Sequence, residues 1–344
     1  MKFSIFAHME RVDEAQSYEE LYQEFCALCQ IADEGGMQTV WTGEHHAMEF
    51  TIAPNPFVPL VDIARITKNV RLGTGTIIAP FWHPIRLAGE AAMADVITGG
   101  RIEMSIARGA YVYEYERLMP GMDAWEAGQR LREIVPAVQK LWAGDYAHEG
   151  QFYRFPSTSP MPKPVQPGGP PLWIAARDPN SHEFAVAKGC NVQVTPLWQP
   201  DAEVDSLMER FNAANEKLAP AVRPKIMLLQ HAIIGADDAQ IASGLSSLRR
   251  FYCDFGTWFA NKREVSQGAL KPLTEAERDE MTHFSEDALG TALPVGKPGD
   301  VIDRLKHYED LGYDEYSLWL DNGMSHEDKR AMLSRFIDEV MPAF

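Results

Sequence analysis

Apolar and polar residues follow two rhythms along this chain. Short continuous apolar runs predict buried strands over Phe3–Ala7, Thr39–Trp41, Val70–Ile78, Ile102–Ala107, Leu172–Ala176, Val192–Thr195, Ile226–Ile234 and Tyr316–Leu320. Between them, apolar positions recur at three and four residues, the spacing of a helix with one buried face. Those stretches predict helices over Tyr18–Glu34, Pro56–Thr67, Ile85–Thr98, Trp125–Trp142, His182–Lys188, Ala202–Leu218, Asp237–Phe251 and Glu327–Val340. About eight alternations of this kind are the signature of an α/β fold, the parallel (β/α)8 TIM barrel. A doubly wound open sheet shares the alternation, but its Gly-rich dinucleotide fingerprint is missing.

Two insertions break the rhythm, near residues 144–171 and 252–297. The first holds Gly144-Asp145-Tyr146 and Gly150-Gln151-Phe152-Tyr153, a small hairpin, then a Pro-rich connector from Pro160 to Pro171. The second carries Trp258, a charged helix around Glu275–Met281, and Pro294. Loops of this length in a compact barrel usually serve as lids. No internal repeat interrupts the pattern, so residues 1–344 are expected to form one domain.

Composition narrows the function classes. The chain has 344 residues, 45% of them hydrophobic, enough for one large core. Its net charge of −17 opposes binding to nucleic acid or to an anionic membrane surface. No apolar run approaches the ~18 residues that span a bilayer. The first residues, Met1 to Phe6, are interrupted by His8 and Glu10 and read as a strand, so a cytoplasmic location is expected. The four cysteines fit a reducing compartment. Cys26 and Cys29 share the apolar face of one helix and lack a second pair for zinc, which makes them packing residues.

In a barrel of this type, sites assemble at the C-terminal ends of the strands. Strand one ends at His8 and strand two at Glu44-His45-His46. Strand three runs through Gly73-Thr74-Gly75-Thr76, with His83 in the loop beyond, and strand four ends in Ala107-Arg108-Gly109. Strand five leads to Arg177-Asp178-Pro179-Asn180-Ser181 and strand six to Trp198. Imidazole titrates near neutrality, so histidines at such positions suit proton transfer. Arg108 can grip a phosphate bidentately. Asp178-Pro179 marks a helix N-terminus, and with Ser181 and Arg177 beside it that end is a candidate phosphate site.

These residues carry a resemblance. The chain resembles the bacterial luciferase-like flavin monooxygenases, the luciferase α subunit in particular. The resemblance rests on Met1-Lys2-Phe3, on Thr39 through His46 with Glu49-Phe50 and Asn55-Pro56, and on Gly73-Thr74 with His83-Pro84-Ile85-Arg86. Gly99-Gly100-Arg101, Ala107-Arg108-Gly109 and Gly296 to Asp300 extend it. It is close over residues 1–120 and continues through Pro170–Ser181.

The resemblance implies a two-component monooxygenase that receives reduced flavin mononucleotide (FMN) from a separate reductase. With O2 it would oxidise a small, mainly apolar organic substrate. It implies His45 as the active-site histidine, and a non-proline cis peptide beneath the flavin at Gly75-Thr76. Ala107 stands where luciferase carries a reactive cysteine, which argues against luminescence but not against oxygenation. At the position of Arg177 the family is often acidic or small, which weakens that residue as a ligand. His8, His46, His83, Trp198 and Trp258 are expected to line the substrate pocket with Glu44, which is placed to fix a histidine tautomer. Trp82, Tyr111 and Tyr113 are further aromatic candidates for the cavity. His231 is expected in the barrel core or beneath the flavin, and His182, His283, His307 and His326 on the surface. Relatives are dimers, so a homodimer is expected through the Pro56–Thr67 helix (Phe57, Leu60, Val61, Ile63) and Ile85–Val96. The competing readings are a deazaflavin-dependent dehydrogenase of the same superfamily, a metal-dependent hydrolase using His8, His45, His46 and His231, and a non-catalytic flavin binder.

Overall fold

The computed structural model describes residues 1–11 and 15–344. Eight parallel strands close into a barrel in which each strand pairs with its neighbours in sequence, and the last pairs with the first. They are β1 (Lys2–Phe6), β2 (Thr39–Thr42), β3 (Arg71–Ile78), β4 (Ile102–Ala107), β5 (Leu172–Ala175), β6 (Asn191–Val194), β7 (Ile226–Gln230) and β8 (Glu315–Trp319). Closure is set by the pairing of Phe3 with Tyr316 and of Phe6 with Trp319. Around the barrel lie α1 (Tyr18–Glu34), α2 (Phe57–Ile66), α3 (Pro84–Thr98), α4 (Ala124–Ala143), α5 (Pro179–Ala187), α6 (Asp201–Leu218), α7 (Asp238–Ala260), α8 (Pro298–Leu311) and α9 (His326–Arg335).

Local signals explain the helix ends. Ser17 accepts a hydrogen bond from the Glu20 N–H, and the Glu20 carboxylate accepts one from the Ser17 N–H, a reciprocal cap that starts α1. His83 caps α3 through its Nδ1, which accepts from the Ile85 N–H at 3.3 Å. Arg101, just beyond α3, donates to the carbonyls of Ala64 and Val70 and so ties α2 to β3.

The first insertion is the expected hairpin, Tyr146–Glu149 against Arg154–Thr158. Glu133 of α4 is its hub, accepting from the backbone N–H groups of Gln151, Phe152 and Tyr153. The second insertion departs from expectation. Residues 252–260 prolong α7 instead of forming a loop, because Phe251, Phe255 and Trp258 continue its buried face. A two-residue hairpin (Val265–Ser266 with Ala269–Leu270) and two short helices, Glu275–Glu280 and Glu286–Ala292, follow. The predicted strand Ile226–Ile234 also divides. It breaks at His231, and Ile233–Ile234 pairs with Val295–Gly296 outside the barrel.

The lower barrel is polar as well as apolar. Glu103 on β4 accepts from Trp173 Nε1 at 2.6 Å and pairs with Arg71, while Glu315 on β8 accepts from Trp41 Nε1 at 3.1 Å. The two indoles meet edge to face at 5.4 Å, so each buried acid is capped by an aromatic donor. Among the described residues no helix is long and apolar enough to cross a membrane.

Candidate active site

A cavity of about 480 Å³ opens at the C-terminal ends of the strands. Its wall includes His8, Glu44, His45, Gly75, Thr76, Ala107, Arg108, Arg177, Asp178 and Ser181, residues spread over nearly 180 positions of sequence. The fold therefore gathers ten of the predicted site residues into one wall.

His45 is the best-oriented proton carrier there. Its Nδ1 lies 3.2 Å from the Glu114 carboxylate, which is buried and also accepts from the His46 N–H at 2.7 Å. With the carboxylate as acceptor, Nδ1 carries the proton, and the ring forms part of the cavity wall. Glu44 does not orient His45. It accepts from the Ile78 N–H, from Trp82 Nε1 at 2.8 Å and from His46 Nε2 at 2.8 Å, and so fixes the β2–β3 rim.

His8 is buried under the same wall, its ring 5.3 Å from that of His45. Burial, and secondarily the nearby His45, hold its pKa well below the ordinary histidine value. His8 is thus a neutral imidazole, and its Nδ1 faces the buried Asp321 carboxylate at 3.9 Å, beyond hydrogen-bond reach. Gln193 of β6 also lines the cavity, and its Nε2 is likewise buried and unpartnered.

Four predicted pocket residues lie elsewhere. His46 turns toward Glu44 and Phe81, away from the cavity. His83 caps α3 and packs against Tyr153 and Phe155 of the first insertion. Trp198 is wedged against Tyr252 and Phe284, and Trp258 stacks edge-on against Tyr113 at 5.2 Å, since both serve the packing of α7. His231 sits in the core as expected. It hydrogen bonds to Tyr252 Oη and the Asp321 carbonyl, stacks on Trp319 at 4.3 Å, and is pushed by burial down to about 3. His182 is buried rather than on the surface, held by the Asp178 carbonyl on the inner face of α5.

The helix N-terminus expected to take a phosphate is already engaged. Asp178 caps α5 with its own carboxylate, which accepts from the N–H groups of Asn180 and Ser181. Burial opposes ionisation there, but hydrogen bonds from Ser181 and Asn180 outweigh it and keep the Asp178 pKa low. Cationic groups are available instead. Arg108 and Arg177 from the ends of β4 and β5 line the wall together with Arg132 of α4, which lies over the Phe184 ring at 4.9 Å.

Sequence reasoning missed Glu114, Arg132, Gln193, Phe255, Phe259 and Trp319. Gln193 was signalled by a polar residue inside the apolar run Val192–Val194, and Glu114 by an acid in the aromatic run Tyr111–Tyr115. Arg132, Phe255 and Phe259 depend on which helix faces the mouth, and Trp319 on which way the end of β8 turns, neither of which periodicity alone reveals.

Backbone geometry completes the cavity floor. The Gly75–Thr76 peptide is cis. A Cβ on Gly75 would fall 2.6 Å from the Phe6 ring, and one on Gly43 would strike the His8 ring, so this close packing of backbone on ring requires glycine at both positions. The Gly75–Thr76 backbone in the wall, the unpartnered Gln193 Nε2 and a cluster of arginines at one side suit a planar heterocycle carrying a phosphate. Reduced FMN fits this donor set.

Comparison with known proteins agrees. The model of the luciferase-like monooxygenase family matches residues 1–315, and the chain belongs to that family. It is 57% identical over 346 aligned positions, covering 100% of this chain and 96% of the relative, to the oxygenase component of the flavin-dependent trigonelline monooxygenase of Acinetobacter baylyi. It is 27% identical to the alkanal monooxygenase α chain of Photorhabdus luminescens, over 50% of this chain and 48% of that one. Among solved structures, monooxygenase RslO1 from Streptomyces bottropensis superposes with a TM-score of 0.80 at 25% identity, covering 99% of both chains.

Proposed function

We propose that this protein is the oxygenase component of a two-component flavin monooxygenase that oxidises trigonelline or a close N-methylpyridinium carboxylate. Reduced FMN would come from a separate reductase. The observation that carries the reading is His45, held by buried Glu114 in the wall of a cavity that also presents Gly75 and three arginines. The 57% identity along the whole chain supports the same activity, and favours it over the deazaflavin dehydrogenase reading. An N-methylpyridinium carboxylate also refines the expectation of a mainly apolar substrate, since its flat ring carries both charges.

When bound, reduced FMN supplies the electrons with which O2 is split between product and water. The chain's residues do the rest. Arg108, with Arg132 and Arg177, would hold the phosphate through charge-assisted hydrogen bonds. Gly75, Thr76 and Ala107 would support the ring edge, and Gln193 Nε2 would donate to a ring carbonyl. His45 would hold or deliver a proton at Nε2, and the neutral His8 beside it adds no charge to the floor. Buried aromatic walls exclude bulk water from the reaction.

Residues 1–344 are proposed to form one cytoplasmic domain working as a homodimer. The dimer face differs from the expected residues, because Phe57, Leu60 and Ile63 are buried in the core. Val58 and Ile66 of α2, with Met93, Val96 and Ile97 of α3, are the exposed apolar set on those helices.

The test is oxygen uptake with photoreduced FMN, supplied without reductase, across trigonelline, nicotinate and alkanals. Stoichiometric O2 consumption and mass-shifted product with trigonelline are expected. Oxidation of a nonpolar aldehyde in its place would overturn the substrate, and no oxygenated product with any of them would overturn the activity.

A further inference from the structure

We infer that the corner formed by Tyr111, Phe255 and Phe259 is a cation site that selects the N-methylpyridinium end of the substrate. This assignment rests on the substrate class proposed above and names the residues that would recognise it. All three rings line the cavity. Their centroids are 5.1 Å apart for Tyr111 and Phe259, 5.4 Å for Phe255 and Phe259, and 6.4 Å for Tyr111 and Phe255. Their planes meet at 58°, 44° and 80° in that order, so they frame a corner instead of stacking on one another. Aromatic corners of this kind hold quaternary nitrogen through the negative faces of the rings. The corner also adjoins the chemistry, since the Tyr111 ring lies 5.1 Å from that of His45.

Local charge gives an independent argument. Glu114 is buried beside Tyr111, on which its charge acts, while Glu44 is buried at the β2–β3 rim against Ile78 and Trp82. Among the described residues, the ion pairs recorded for them are with His45 and His46 alone, and neither meets Lys or Arg. The arginines of the cavity, Arg108, Arg132 and Arg177, come instead from β4, α4 and β5. One carboxylate, Glu114, therefore backs the aromatic corner, while Asp178 of the wall is spent on capping α5. A neutral apolar substrate would need the rings but not the acid. A ring bearing a fixed positive charge uses both.

Phe259 is the residue to change, because it stands near the end of α7 with 42% of its surface exposed and contributes little to the core. Binding is read by calorimetry on the FMN-loaded protein without oxygen at pH 8, with N-methylpyridinium, trigonelline and nicotinate as ligands. Phe259→Leu should weaken N-methylpyridinium and trigonelline by about three- to thirty-fold, the range of a cation–ring contact. Nicotinate, whose ring is uncharged, should change less than about twofold on the same principle. Phe255→Leu gives a second reading of the same corner, and unchanged FMN affinity shows that either variant is folded. Equal losses for all three ligands would make the corner a plain apolar wall and overturn the inference, as would unchanged binding in both variants. A wild-type protein that binds FMN but neither cation would overturn it while leaving the monooxygenase reading intact. Failure to bind FMN would instead sink that reading.

Discussion

His45 reaches the cavity with one ring nitrogen committed to Glu114 at 3.2 Å, so the proton-transfer role proposed for it rests on a partner 69 residues away in sequence. His45→Ala should cut product formation by about 10²–10⁴-fold, the usual cost of losing a general acid or base, while FMN affinity holds. Glu114→Ala should lower turnover by at least about tenfold on the same ground and raise the share of O2 released as hydrogen peroxide. Product at the wild-type rate from either variant would reduce the pair to a cavity wall. Arg108 is tested separately. Removing a charge-assisted bond worth about 1.5–3 kcal/mol should weaken FMN by roughly ten- to hundredfold in Arg108→Ala. Riboflavin, lacking the phosphate, should bind as before, and equal loss of both would assign Arg108 some other task.

Strands β4 and β8 carry acids where a barrel normally stacks aliphatic side chains. Burial raises the Glu315 carboxyl from an ordinary 4.5 to about 7, against hydrogen bonds from Ser4 and Trp41 that lower it. The sign follows from proton counting. Between pH 4.5 and 7 the folded state keeps a proton that the unfolded chain has released, so the Glu315 contribution falls as pH rises through that window. The loss is at most about 3 kcal/mol and is complete above the folded value. Glu315→Gln keeps an acceptor for Trp41 and removes the titration. Denaturant unfolding at pH 5 and pH 8 should show a smaller drop for the variant than for the wild type, by about 1–3 kcal/mol. Parallel drops would mean that Glu315 is ionised in the native barrel.

The whole molecule leaves Val58, Ile66, Met93, Val96 and Ile97 exposed on the paired helices α2 and α3. A two-fold contact would bury the same patch on both copies. Sedimentation of the wild type at micromolar concentration should give a dimer, and Met93→Glu with Val96→Glu should give a monomer with its fold intact. A monomeric wild type would refute the dimer, and a dimeric double variant would place the interface elsewhere. The net charge of −17 acts at this scale too, repelling anions except where local arginines gather.

Periodicity by itself determined the eight strands, most helix boundaries and the closed barrel, because burial on both faces of a parallel strand forces a continuous apolar run. Strand-end residues such as His8, His45, Gly75 and Arg108 were legible for a related reason: in a barrel, position along the strand sets which end a side chain reaches. Direction across the barrel was not legible. His46, His83, Trp198 and Trp258 lie close in sequence to true cavity residues, yet each turns into packing or capping. Arg132 and Gln193 enter the wall, and Glu114 reaches His45 behind it, because α4, β6 and the short helix Val112–Leu118 face that way in the fold. The Asp178 carboxylate filling its own helix N-terminus could not be foreseen either, since Asp-Pro reads alike whether the cap is a side chain or a ligand. Sequence fixes where along each element a group lies, through local spacing. Only tertiary packing decides which way it faces and which partner it finds.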